Sequence, residues 1–98
     1  KNVFKEHAYK LKVSSTKSLI GHCLGASGAL ESIVTIKSIQ TGQVHKTNTN
    51  ADDPACDLNY LKEGAMTLNP KYALCNSFGF GGHNGVLLFK KWNSKETV

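Results

Sequence analysis

The chain has 98 residues, of which 40% are hydrophobic and 19% charged, and its formal net charge is +5. That length holds at most one small domain with a modest core, and that composition excludes both a disordered segment and a membrane span of roughly 18 or more consecutive apolar residues. All twelve basic residues are lysine, which suits an acidic partner or a phosphate-bearing ligand. A solvated face is the plain alternative, and the lack of arginine argues against nucleic acid.

The chain opens on Lys1 with no apolar leader, and the opening reads as that of a segment cut from a longer protein. Residues 11–16 alternate well enough for a short strand, and Lys17 to Gly21 reads as a loop. Residues 22–41 read as a helix stopped by Gly42, a good residue just past a helix end. On that helix Ala26, Ala29, Leu30, Ile33, Val34 and Ile36 form one apolar arc. Ser27, Gly28, Glu31, Thr35 and Ser38 lie roughly opposite, so both faces are expected to pack. Gly25 and Gly28 suggest a close backbone neighbour. Glu31, alone among small residues, is expected to be a buried carboxylate in need of a partner.

Residues 43–70 are rich in turn formers. Two apolar runs follow, Tyr72–Cys75 and Val86–Phe89, which predict strands joined by the glycine-rich stretch Asn76–Gly85. Residues 1–92 are read as one segment and 93–98 as a polar tail. Cys23, Cys56 and Cys75 are widely spaced and odd in number, as befits free thiols. Neither they nor the four histidines have zinc-ligand spacing.

Two segments carry candidate chemistry. In Ser15-Thr-Lys-Ser-Leu-Ile-Gly-His22, a histidine at the predicted helix N-terminus faces the positive end of the dipole and is held neutral. It has an N–H to give to a developing oxyanion, with the charge of Lys17 nearby. A surface lysine and a capping histidine are the alternative. In the second segment, Gly79-Phe-Gly-Gly82 fails the dinucleotide pattern, because the third required glycine falls on Asn84 and a strand follows. The loop offers free backbone N–H groups instead. Phe78 and Phe80 either line a pocket or sit in the core of a tight hairpin.

Taken together, Ser15–Glu31 and Asn76-Ser-Phe-Gly-Phe-Gly-Gly82 resemble the β-ketoacyl-acyl-carrier-protein synthases of fatty-acid elongation, with Cys56-Asp-Leu58 adding a family look. The resemblance implies an α/β chain forming part of the C-terminal half of a thiolase-like fold, with layered helices and a five-stranded sheet. It implies a decarboxylative Claisen condensation of an acyl thioester with malonyl-acyl carrier protein. His22 would be the second histidine of a Cys-His-His set, Lys17 the lysine that sets local charge, and Glu31 that lysine's partner. Phe80 would be the gating residue, with Phe78, Gly79 and Gly81 beside the acyl pocket. Glu31 and Asn76, with the Cys75 segment, would help hold a structural cation.

In the family the nucleophilic cysteine and first histidine precede this segment, so the chain is expected to be inactive alone. The family implies acyl carrier protein as partner and a homodimer, without cofactor, nucleic acid or membrane. It implies a cytoplasmic location, or a plastid or mitochondrial one in a eukaryote. Glu31 and the run after Gly85 look more like the fatty-acid branch than the polyketide one. The competing expectation is a non-catalytic thiolase-fold fragment that binds acyl thioesters or a partner chain.

Overall fold

The computed structural model describes residues 1–50 and 52–93. Most of the polar tail therefore lies outside the described residues. The elements are α1 (Lys17–Ile20), α2 (Ser27–Thr41), β1 (Gln43–Val44), β2 (Met66–Thr67), β3 (Tyr72–Gly79) and β4 (His83–Lys90), with 3-10 segments at Lys5–Lys10 and Leu24–Ala26. β1 pairs with β2, and β3 with β4. The described residues fall into two compact units: 1–22 with 44–66, and 23–43 with 67 onward.

In the first unit the buried apolar residues are Ala8, on the Lys5–Lys10 turn, and Leu61. The strand expected at 11–16 does not form. Lys12 makes one isolated parallel bridge to Asn59, and the Val13 N–H reaches the Asn59 carbonyl at 2.9 Å. A ladder cannot extend from that bridge, because the partner segment turns away at Leu61 (φ 54°). The loop expected at Lys17 is instead the single helical turn α1.

The second unit is one helix against one hairpin. α2 begins at Ser27, later than the expected residue 22. The start is set where Ser27 Oγ accepts the Cys23 N–H at 2.8 Å, after a turn in which Leu24 takes φ 51°. The helix stops as expected: Gly42 takes φ 76°, ψ −2°, and returns its N–H to the Ser38 carbonyl at 2.9 Å. A Cβ there would collide with the Asn69 side chain.

α2 turns its small face inward. Ser27, Glu31 and Ile39 are buried, whereas Leu30, Ile33 and Ile36 are 37%, 56% and 38% exposed. A polar face can be covered because its hydroxyls bond within the helix. Ser32, Thr35 and Ser38 donate to the carbonyls of Gly28, Glu31 and Val34 at 2.7, 2.8 and 3.0 Å. Gly28 does not bring a backbone close: an added Cβ would meet Ser77 Oγ at an ordinary 3.7 Å, and one on Gly25 would meet nothing within 4 Å.

β3 and β4 run antiparallel from the pair Tyr72↔Lys90 to Gly79↔His83, leaving Phe80–Gly82 as the turn. The strands are longer than the two apolar runs, because most of the glycine-rich stretch is itself paired. Alternation gives the sheet two faces. Ala73, Cys75 and Ser77 share one, and Cys75 is buried there against α2. Tyr72, Leu74, Asn76 and Phe78, with Val86 and Leu88 opposite, share the other, and all of these are exposed.

Candidate functional site

Lys17 opens α1, and this turn ends where Gly21 returns its N–H to the Lys17 carbonyl at 2.9 Å. Gly21 takes φ 82°, ψ 176°, a region that side chains avoid and that redirects the chain into His22. His22 is exposed and precedes α2 by a full 3-10 turn. The expectation that it caps that helix is thereby corrected. The positive end of a helix acts within its first turn, and His22 lies ahead of that turn of α2.

Glu31 is the buried carboxylate foreseen, 8% exposed on the inward face of α2. Among the described residues no buried side-chain nitrogen or oxygen lacks a hydrogen-bond partner, so its burial is compensated.

Phe78 is 76% exposed on the outer sheet face, and Phe80 is fully exposed in the hairpin turn. The reading of both as core residues is thereby excluded. Gly79 closes β3 opposite His83, and Gly81 lies in the turn. Asn76 is exposed on the same outer face as Phe78, whereas its neighbour Cys75 points to the helix.

Between α2 and the hairpin lies an open cleft of about 430 Å³ lined by residues including Gly28, Ser32, Cys75, Ser77, Gly85 and Leu87. Ser32 Oγ stands 3.8 Å from Cys75 Sγ at its wall. Of the sequence-predicted site residues Cys75, from the expected cation segment, lines this cleft, whereas Lys17, His22, Glu31, Asn76 and residues 78–81 are not among its lining residues. Its signal was present in the sequence as small residues at i and i+4 on the helix and at alternate positions on β3. His45 and Thr47, which bond Thr16 and Ser15 beside the Lys17 turn, were also missed. Their contacts span about thirty positions and no local pattern announces them.

Residues 1–51 match the family description "Beta-ketoacyl synthase, C-terminal domain". The chain is 50% identical over 95 residues to 3-oxoacyl-[acyl-carrier-protein] synthase 2 of Staphylococcus aureus strain COL, covering 96% of this chain and 23% of that protein. It is 47% identical over 93 residues to the Synechocystis protein of the same name, covering 94% and 22%. Among solved structures, a ketosynthase complex described as a type II PKS acyl-carrier protein with its ketosynthase bound to the hexaketide superposes with a TM-score of 0.89 at 35% identity, covering 93% of this chain and 22% of that one. A β-ketoacyl synthase from Burkholderia phymatum superposes with a TM-score of 0.79 at 39% identity, covering 85% and 21%. The fold is thus that of the α/β thiolase-like class, within its C-terminal half. The chain belongs to the β-ketoacyl synthase family and spans under a quarter of the length of the relatives it matches. Among the described residues no helix is long and apolar enough to cross a membrane.

Proposed function

We propose that this chain is the C-terminal part of a 3-oxoacyl-[acyl-carrier-protein] synthase that elongates fatty acids. The observation that carries the reading is 50% identity sustained over 95 residues to the Staphylococcus aureus synthase. In the proposed reaction malonyl thioester loses CO₂, and the resulting enolate attacks the carbonyl of an acyl group held on a cysteine. The carbon–carbon bond forms as the cysteine thiolate leaves. His22 donates an N–H to the thioester oxygen as negative charge builds there. Lys17 sets the local charge, and Glu31 is its counter-charge. Phe78, Gly79, Phe80 and Gly81 border the acyl chain, with the Phe80 backbone N–H serving the oxyanion. Acyl carrier protein is the proposed partner, met in the cytoplasm, and the chain's net charge of +5 suits an acidic carrier.

The test is a chimera in which residues 1–98 replace the matching segment of the Staphylococcus aureus enzyme. It should condense acyl and malonyl groups. Its His22→Ala form should lose malonyl decarboxylation by about a hundredfold or more while still accepting an acyl group, the scale expected for one catalytic donor. Normal decarboxylation by His22→Ala would overturn the role of His22, and a chimera that loads but never condenses would overturn the reading.

The exposed apolar residues of α2 and of the outer sheet face favour a second reading, a non-catalytic chain that pairs with a partner. Native mass of the 98-residue chain separates the two. A stable, soluble species with those faces covered by a partner supports the second.

A further inference from the structure

The turn that carries Lys17 contributes no fully buried residue. None of Lys17–Ile20 is buried, and Thr16 before it makes no side-chain capping bond. Leu19 and Ile20 are 46% and 52% exposed. One turn of helix does not hold itself, because nucleation fixes several residues for a single hydrogen bond.

The strap 45–48, in the same compact unit, ties down the residues around this turn. Thr16 Oγ1 stands 2.9 Å from His45 Nε2. The Ser15 N–H donates to Thr47 Oγ1 at 3.2 Å. The Asn48 N–H donates to Ser18 Oγ at 2.9 Å, and that hydroxyl donates onward to the Ser15 carbonyl at 2.7 Å. Ser15, Thr16 and Ser18, which bracket Lys17, are thus tied to one short stretch.

The histidine in that strap has a fixed polarity. His45 Nδ1 lies 2.8 Å from the Lys46 carbonyl oxygen, which only accepts, so Nδ1 carries the proton. In the neutral ring Nε2 is then the acceptor, and the Thr16 hydroxyl donates to it.

We infer that His45 is a positioning residue: through Thr16 it fixes the turn from which the chain reaches Lys17 and, past Gly21, His22. The inference rests on the condensing activity proposed above. It predicts that breaking the Thr16–His45 bond slows malonyl decarboxylation and condensation and spares acyl loading, a step in which the mechanism proposed above gives Lys17 and His22 no part.

The experiment uses the Staphylococcus aureus chimera with four variants. His45→Phe keeps a flat ring without nitrogens, and Thr16→Val keeps the shape without the hydroxyl. Each should lower kcat for malonyl decarboxylation about three- to tenfold, the scale of one neutral hydrogen bond, with acyl transfer unchanged. Thr16→Ser should retain activity. The double variant should be no slower than the slower single one, because both remove the same bond. Unchanged decarboxylation, an equal fall in acyl transfer, or multiplicative losses would each overturn the inference. If His45→Phe fails to fold, the Thr16→Val and Thr16→Ser pair decides alone.

Failure of the functional reading shows separately, as a wild-type chimera that loads and does not condense, and it takes the catalytic part of the inference with it. Ring nitrogen NMR of the 98-residue chain decides the anchoring itself. Thr16→Val should shift the His45 Nε2 resonance and leave Nδ1 in place, and an unmoved Nε2 would overturn the anchoring.

Discussion

Ser32 Oγ on α2 stands 3.8 Å from Cys75 Sγ on β3, and with its own proton given to the Gly28 carbonyl it faces the thiol as an acceptor, so small polar side chains meet where helix and hairpin touch. Leu30, Ile33 and Ile36 of α2 and Leu74, Phe78, Val86 and Leu88 of the hairpin are exposed, whereas Ile39 and Leu87 lie on the inward side. A seam of this kind packs closely where it is covered, and it leaves Cys75 the one buried thiol of three.

That seam predicts an order of thiol reactivity. Iodoacetamide should modify Cys23 and Cys56 first and Cys75 at least about tenfold later, because Cys75 reacts only when the helix lifts from the hairpin. Peptide mass mapping over time checks the order. Equal rates at all three would mean that the seam is open in solution.

Gly42→Ala should destabilise the chain by about 1–2 kcal/mol, the cost of a left-handed conformation for a residue with a Cβ. The clash with Asn69 adds to it. Denaturant unfolding with unchanged slope and a lower midpoint is the expected result. A Gly42→Ala,Asn69→Ala double variant should recover part of the loss.

The outward apolar faces predict a dependence on context. Ile33 and Leu88 are 56% and 64% exposed here. Ile33→Lys and Leu88→Lys should therefore each change the stability of the 98-residue chain by less than about 0.5 kcal/mol, as surface substitutions do. Both should reduce any self-association seen by sedimentation. In the Staphylococcus aureus chimera the same changes should cut the folded yield severely, if the rest of the synthase covers those faces. Equal effects in both settings would argue against such a cover.

At the N-terminus Lys1 Nζ lies 2.5 Å from Asp57 Oδ1, and the Tyr9 hydroxyl reaches the other carboxylate oxygen at 3.3 Å. The hydrogen bond from Lys1 holds the Asp57 carboxyl below its usual range, and the same bond to Asp57 raises the Lys1 ammonium. Asp57 therefore contributes stability in full above the ordinary carboxylate range and loses it as pH falls through its lowered value. Lys1 contributes below the ordinary lysine value and loses it as pH rises past its raised one. Both groups are exposed, so the effect is small and fades with salt. Carboxyl NMR titration should show Asp57 moving back up in Lys1→Ala.

Much of this protein was decided locally and could be read without coordinates. Gly42 stops α2 because a left-handed position favours glycine wherever it falls. Glu31 sits among small residues at helical spacing and is buried as that setting implies. The two apolar runs at 72–75 and 86–89 pair because two short apolar segments joined through a glycine-bearing turn suffice for a hairpin. The motifs at 15–22 and 76–82 carried the family on their own.

Tertiary structure decided the rest. The start of α2 moved from His22 to Ser27 because the Ser27 hydroxyl catches the Cys23 N–H, a choice no propensity scale records. The strand expected at 11–16 shrank to one bridge because its partner turns at Leu61. The inward face of α2 is its polar one, since hydroxyls that bond the preceding turn cost little to cover, and hydrophobic periodicity does not count those bonds. The Thr16–His45 tie joins residues 29 positions apart, and such a contact exists only once the chain has folded back on itself.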